Sequence, residues 1–186
     1  MKDVIDETDV RLAQKGDKAA FTRLIKESQN SLYRIAKGIL NHEEDCADAI
    51  QEAIIKSYNS IHKVKKPQYF KTWLTRIVIN QCYDLLKQRK KIIPTESVEP
   101  LLQSQTEQAQ NDYYQLSEGL DNLNTMHRTI ITLFYYEQLT IQEISEILKV
   151  REGTVKSRLN RARNRLADYL EKDEAERGGK NGSKRN

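Results

Sequence analysis

The chain has 186 residues, of which 38% are apolar and 31% charged, and its formal net charge is +4. This composition is too polar for one large core, but it suits small helical domains that each bury a narrow apolar stripe. Scarce glycine and proline favour an all-α fold. The two cysteines, Cys46 and Cys82, lie in separate apolar patterns, so neither a disulfide framework nor a metal site is expected. Without a signal peptide or an apolar span, we expect a soluble cytoplasmic protein that needs no cofactor.

The charges are unevenly distributed along the chain. Residues 63–91 contain nine Lys or Arg against one acid, and residues 151–165 contain six against one. Residues 41–52 are the reverse, with five acids and no Lys or Arg. Two basic segments and one acidic segment predict a polyanion bound at two places and a separate basic partner.

Apolar periodicity predicts three helices in the first half of the chain. The first covers 17–40, with Asp17 as its N-cap, and the second covers about 43–61. Pro67 opens the third, which continues to the basic cluster at 89–91.

The second helix is predicted to have an apolar face and an acidic face. The inward positions are Ala47, Ile50, Ile54, Tyr58 and Ile61, and the outward positions are Asp45, Asp48 and Glu52, with Gln51 and Ile55 beside them. The acids alone would be consistent with a solvated surface. An outward Ile55 among charges instead favours a protein interface.

The third helix combines aromatic and basic residues. Its aromatic residues are Tyr69, Phe70, Trp73 and Tyr83. Such a pattern is most often a core stripe with a solvated edge, and we expect Trp73, Leu74 and Ile77 to pack inside.

Residues 92–111 contain two prolines, four glutamines and little periodicity, which predicts a flexible linker. Helical patterns resume at about 112–122, 125–137, 140–149 and 152–171. Residues 173–186 are predicted to form a disordered tail.

The last two helical patterns predict a helix-turn-helix. Thr140 and Glu143 form a capping box, and a brief turn at Lys149-Val150 leads to a basic helix. With Val155, Leu159, Ala162 and Leu166 facing inward, the outward positions are Thr154, Ser157, Asn160 and Arg161, flanked by Lys156, Arg158, Arg163 and Arg165. Short polar groups between long cations suit a major groove, whereas the plain alternative is an Arg-rich surface helix.

The run Gly153-Thr-Val-Lys-Ser-Arg-Leu-Asn-Arg-Ala-Arg163 resembles the region with which sigma factors recognise the −35 promoter element. By this resemblance, base-edge and nearby phosphate contacts fall to Lys156, Ser157, Asn160 and Arg161, and the predicted contact set also includes Thr154, Arg158 and Arg163. Two positions depart from the family pattern. Lys149 stands where Gly is usual, and Arg151 replaces the usual Ser cap, each at a cost of about 1 kcal/mol.

The first half resembles a second sigma region. The pattern Asp45-x-x-Asp48-x-x-Gln51-Glu52 is similar to the segment that binds the β′ clamp helices of RNA polymerase, so the predicted polymerase contacts are Asp45, Asp48, Gln51, Glu52 and Ile55. The segment Phe70–Asp84 resembles the part that melts the −10 element, where the preceding loop and Asn80 would hold a flipped base. The predicted −10 DNA contacts are Lys63, Lys65, Lys66, Tyr69, Phe70, Lys71, Arg76 and Asn80.

Together the resemblances imply an extracytoplasmic-function (ECF, group 4) sigma factor of the sigma-70 family. They imply a domain at 1–91 for core polymerase and single-stranded −10 DNA, and a helix-turn-helix domain at 112–172 for duplex −35 DNA. Core polymerase (β′ and β subunits), promoter DNA and an anti-sigma factor, often under envelope-stress control, would be its partners.

Two alternatives come from other functional classes. A stand-alone helix-turn-helix regulator explains the second half, but it leaves the acidic stripe unexplained. A nucleic-acid enzyme finds no support, because the histidines at 42, 62 and 127 lack metal-ligand spacing.

Overall fold

The structure, a computed structural model, describes residues 6–92, 116 and 118–181, with side chains for 6–89, 116 and 118–173. Every regular element within these residues is helical, which agrees with the all-α prediction. In chain order the helices are α1 Glu7–Gln14, α2 Lys18–Lys37, α3 Glu43–Ser60, α4 Phe70–Ile92, α5 Thr125–Ile131, α6 Ile141–Leu148 and α7 Glu152–Asn181. Short 3₁₀ turns at Ile61–Lys63 and Pro67–Tyr69 precede α4, and a π-helical turn at Thr132–Tyr136 extends α5. Among the described helices, none is long and apolar enough to cross a membrane.

Side-chain caps fix where several helices begin. Asp17 accepts hydrogen bonds from the backbone N–H groups of Ala19 (2.8 Å) and Ala20 (3.0 Å), which confirms its predicted role at the start of α2. Asn124 caps α5 in the same way by accepting from the N–H of His127 at 3.0 Å. These bonds satisfy donors that the first helical turn leaves free.

The first half of the chain packs α2, α3 and α4 around one core, with α1 against α2. The predicted stripe of α2 is buried or partly buried, including Leu24, Leu32 and Ile35. Both cysteines lie in this core as free thiols. Burial raises the pKa of Cys46 and raises that of Cys82 to about 12, so both stay protonated and unreactive at neutral pH.

The buried face of α3 differs from the predicted one by about one residue. Its buried positions are Asp45, Cys46, Ala49, Ala53 and Ser57, while Ile50 and Ile54 lie at the edge of the core. Ala47 and Tyr58, which we expected to face inward, are exposed. Small side chains face the core because α3 packs closely against α4. The largest apolar residues of α3 therefore lie beside the centre of its buried face rather than on it.

The second half forms its own small core from α5, α6 and α7. Buried Ile130, Leu159 and Ala162 lie at its centre. The larger apolar cluster of the first half also continues into this half through residues such as Leu133, Ile144 and Val155. The two helical domains are therefore packed against each other.

The predicted linker and the predicted tail lie at the limits of the described residues. The predicted linker at 92–111 lies, apart from Ile92, outside the described residues, as do residues 112–115 and 117 of the predicted helix at 112–122. The prediction of a disordered tail from 173 is wrong for residues 173–181, because α7 continues to Asn181. Helix formers and alternating charges at 168–177 favour propagation of a helix that has already nucleated.

Candidate polymerase and nucleic-acid interfaces

An acidic surface lies on the outer side of α3. The side chains of Asp48, Gln51, Glu52 and Ile55 are exposed, with 47% exposure for Ile55. Their spacing of three and four residues places them on one face of the helix. The face thus combines two carboxylates, an amide and a solvent-exposed isoleucine, which suits a partner that is both basic and partly apolar.

Asp45 does not belong to this surface. It is buried, and its carboxylate accepts a charge-assisted hydrogen bond from the Arg89 guanidinium on α4. The prediction that Asp45 contacts polymerase therefore does not fit the structure. The one-residue shift of the α3 face turns Asp45 toward the core, where it joins α3 to the end of α4.

The loop between α3 and α4 presents cations at its tip while its apolar residues anchor it. Ile61 and Val64 are buried, and the Gln14 side chain on α1 donates to the Val64 carbonyl at 2.7 Å. This anchoring leaves the basic and aromatic positions Lys63, Lys65, Lys66 and Tyr69 exposed. Tyr69 is the most exposed of the large hydrophobic side chains among the described residues, at 52%, and its ring is free to stack on a base.

The predicted −10 residues on α4 have three different environments. Asn80 is exposed, so both its donor and its acceptor are available. Phe70 is fully buried and its ring packs 5.8 Å from that of Trp73, so a direct Phe70–DNA contact does not fit; Phe70 instead anchors the start of α4. Arg76 is half-buried, and Lys71 points at the second half of the chain.

The helix-turn-helix is formed by α6, a tight turn and α7. The capping box at the start of α6 is present, with the Glu143 carboxylate accepting from the Thr140 N–H at 2.8 Å and the Thr140 hydroxyl accepting from the Glu143 N–H at 3.2 Å. The turn passes through Lys149, whose backbone is left-handed at φ 55°. A side chain at such a position costs about 1 kcal/mol, which is the departure from the family pattern that the sequence suggested.

The exposed face of α7 carries the predicted −35 contacts. Val155, Leu159 and Ala162 are buried as predicted. The opposite side presents the exposed residues Lys156, Ser157, Asn160, Arg161 and Arg163, with Thr154 half-buried at its edge. Arg158 differs from the rest: it is half-buried, and its Nη1 atom is fully enclosed.

One support of this face was not predicted from the sequence. The Arg163 guanidinium lies over the rings of Phe134 and Tyr135, 5.6 and 5.4 Å from their centroids. Cation–π contacts of this kind orient a long side chain that would otherwise be mobile. In the sequence, the adjacent aromatic residues Phe134 and Tyr135 are the one feature that points to such a contact, and they do not indicate which cation would bind them.

A histidine lies close to the basic face. His127 is 8% exposed, and burial lowers the pKa of its imidazole, with the positive charges of Arg165, Arg161 and Arg158 lowering it further. The ring is therefore neutral at pH 7 and adds no charge to the guanidinium cluster.

These features define a class of protein. In the second domain, a capped helix-turn-helix presents a basic helix. The first domain presents an aromatic-basic loop on one side and an acidic surface on another. The arrangement is that of a two-domain helical DNA-binding protein with a separate surface for a protein partner.

Comparison with known proteins identifies the family. Residues 24–92 match "Sigma-70 region 2" and residues 114–166 match "Sigma-70, region 4". The chain is 32% identical to the RNA polymerase sigma factor SigV of Bacillus subtilis, over 84% of this chain and 95% of the relative. It is also 32% identical to the ECF RNA polymerase sigma factor SigM of Mycobacterium tuberculosis strain H37Rv, over 83% and 79%. The chain belongs to the ECF sigma factors of the sigma-70 family.

Solved structures support the same fold. CnrH, determined in complex with the cytosolic domain of CnrY, is 23% identical, with a TM-score of 0.67 over 91% of this chain and 99% of that one. The sigma factor RpoE of Bartonella quintana, determined with the anti-sigma factor NepR, is 21% identical, with a TM-score of 0.66 over 81% and 96%.

Proposed function

We propose that this sigma factor, of group 4, divides promoter recognition between its two halves. Residues 1–91 bind core polymerase and capture the single-stranded −10 element, and residues 112–172 bind the duplex −35 element. The observation that carries the proposal is the coexistence of the exposed acidic face of α3 with the basic helix-turn-helix face of α7 in one chain. A stand-alone regulator needs only the second of these surfaces.

The polymerase contact is assigned to Asp48, Gln51, Glu52 and Ile55. An exposed isoleucine among carboxylates matches a basic partner that also buries apolar area, as the clamp helices of the β′ subunit are expected to do. Asp45 is omitted from this set because Arg89 neutralises it inside the domain.

The −10 contact is assigned to the loop before α4 and to Asn80. Its exposed lysines hold the strand backbone, Tyr69 offers a stacking surface, and Asn80 offers a base-edge donor and acceptor. Stacking and hydrogen bonds of this kind offset the few kcal/mol that unstacking a base requires.

The −35 contact is assigned to the exposed face of α7. Ser157 and Asn160 are short enough to reach base edges, while Lys156, Arg161 and Arg163 reach phosphates. Phe134 and Tyr135 hold Arg163 in place.

The family also suggests how the protein is controlled. Two structural neighbours were determined as complexes, CnrH with the cytosolic domain of CnrY and RpoE with the anti-sigma factor NepR. We infer that this chain has an anti-sigma partner, that it acts in the cytoplasm where core polymerase is found, and that it has no catalytic activity of its own.

The polymerase assignment is tested by charge reversal. The variant Asp48→Lys/Glu52→Lys should lose pull-down of core polymerase and keep its helical circular-dichroism spectrum, since both side chains are exposed. The matched control Glu27→Lys/Glu146→Lys changes the net charge equally at exposed positions elsewhere and should bind normally. Equal binding by both double variants would refute the assignment of this face and show that core polymerase contacts a different surface of the chain.

A further inference from the structure

A buried carboxylate joins the two halves of the protein. The Glu137 side chain follows the π-helical turn after α5 and has 0% exposure. Within the described part of the chain, the side-chain partners of this carboxylate come from the other half: Ser31 donates to Oε2 at 2.5 Å, Arg34 Nη2 lies 3.1 Å from Oε1, and Lys71 Nζ lies 3.3 Å from Oε2. A carboxylate removed from water in this way requires such partners, so the contact is specific rather than incidental.

The groups that receive the carboxylate form a socket on two helices of the first domain. Ser31 and Arg34 are one turn apart on α2, and Lys71 comes from the first turn of α4. The two cations remain about one-third exposed (38% and 31%), so either can return to water when the carboxylate leaves. The socket can therefore empty without unfolding the first domain.

A second contact closes the same boundary independently of Glu137. Buried Arg128 on α5 donates to the Gly38 carbonyl at 3.1 Å and to the Asn41 side chain at 2.6 Å. Gly38 also lies against Thr132, so close that a Cβ atom at position 38 would lie 2.8 Å from the threonine hydroxyl. The backbone at Gly38 has φ −64°, an angle that any residue can adopt, so a side chain at this position would cause no backbone strain. It would clash only with Thr132 of the second domain and with the neighbouring turn of its own helix.

Closure reduces the exposure of predicted DNA contacts on both sides. Lys71 is paired with Glu137, and next to it Thr72 donates to Glu143 of the helix-turn-helix at 3.4 Å. On α7, Arg158 is half-buried with Nη1 enclosed, and its charge is close enough to act on the Tyr83 hydroxyl of α4. The first half thus has one predicted DNA-contacting cation, Lys71, paired with the second half, and Arg158 of the second half is partly withdrawn from solvent.

We propose that Ser31, Arg34 and Lys71 form a carboxylate socket in which Glu137 holds the free protein closed, and that closure withholds Lys71 and Arg158 from DNA. This regulation rests on the proposed DNA-binding function. Separation of the halves frees one phosphate-binding cation in each, so binding of DNA and opening favour each other.

The test uses the full chain and two variants that open the boundary by different means. Glu137→Gln keeps the shape and removes the charge, and Gly38→Leu inserts a wedge at the second contact. Glu146→Gln removes the same charge from an exposed position of α6 and is the control. Small-angle X-ray scattering without DNA reports opening, and fluorescence anisotropy at low salt reports affinity for a short labelled single strand and its duplex.

Both opening variants should expand beyond the radius of gyration of about 16 Å that is expected for a compact chain of this length. They should bind DNA roughly tenfold more tightly, as for a parent that is about 90% closed. Compact variants with parental affinity would overturn the proposal, and expansion without a gain in affinity would overturn its regulatory half. Expansion with no DNA binding by any form would support closure and refute the DNA-binding function instead.

Discussion

Substitutions in the Asp45–Arg89 pair can test whether the acidic residues of α3 have separate roles, with Asp45 stabilising the fold and Asp48 and Glu52 binding polymerase. The Asp45 side chain is 7% exposed, whereas that of Arg89 is 48% exposed. Removing Arg89 leaves a carboxylate buried without its partner, which should cost about 2–3 kcal/mol of unfolding free energy. Removing the Asp45 charge leaves a guanidinium that can turn into water, so Asp45→Asn should cost only about 1 kcal/mol, including the lost charge at the N-terminus of α3.

The unfolding free energies of Arg89→Ala and Asp45→Asn are measured by urea denaturation, with circular dichroism as the signal. Pull-down of core polymerase is then measured at a temperature where both variants are folded. Asp45→Asn should bind core polymerase normally, in contrast to the reversal of Asp48 and Glu52.

Two results would refute this reasoning. Equal destabilisation by both variants would mean that Asp45 is not the buried partner. Loss of polymerase binding by a fully stable Asp45→Asn variant would return Asp45 to the binding face, as the sequence pattern alone suggested.

Two further predictions concern the second domain. Lys156→Ala should weaken binding to duplex −35 DNA and reduce the slope of log affinity against log salt by about one unit, whereas Ser157→Ala and Asn160→Ala should change the preferred base. Anisotropy titrations measure both effects. The same uniform loss of affinity for all three variants would contradict the assigned face. Because the pKa of His127 is lowered in the folded state, the unfolded chain takes up its proton first, so stability should fall as the pH drops below about 6.5. His127→Gln should remove that part of the pH dependence in urea unfolding, and an unchanged dependence would contradict the burial of a neutral ring.

Local patterns predicted most of the helices. Large apolar residues at helical spacing marked the core side of α2 and of α7, and the caps at Asp17 and Thr140 marked two helix starts. In these helices the biggest apolar side chains are also the buried ones, so periodicity and burial agree.

The same method failed where small residues face the core. On α3 the buried centre is made of Ala49, Ala53 and Ser57, so weighting by side-chain size rotated the helix by one position and placed Asp45 outside. The resemblance that included Phe70 among DNA contacts likewise could not show that its ring fills the core.

Contacts between distant segments were beyond sequence reasoning. Nothing in the pattern around Glu137 indicates that its partners lie 106 and 103 residues away, at Ser31 and Arg34. The placement of Arg163 over Phe134 and Tyr135 has the same origin. Such contacts depend on how domains pack, which single-segment periodicity does not encode.

The central claim is that this chain gives core polymerase its promoter specificity, and run-off transcription tests it most directly. Purified bacterial core polymerase is assayed on a panel of promoters with the parent chain, the Asp48→Lys/Glu52→Lys variant or Asn80→Ala. We expect transcripts with defined start sites from a subset of templates with the parent and none with the charge-reversed variant. Asn80→Ala should still yield transcripts but discriminate less among −10 sequences, because it has lost a base-edge contact of about 1–3 kcal/mol. A parent chain that binds core polymerase and yields no promoter-dependent transcript on any template, or an Asn80→Ala variant with unchanged −10 preference, would contradict the account.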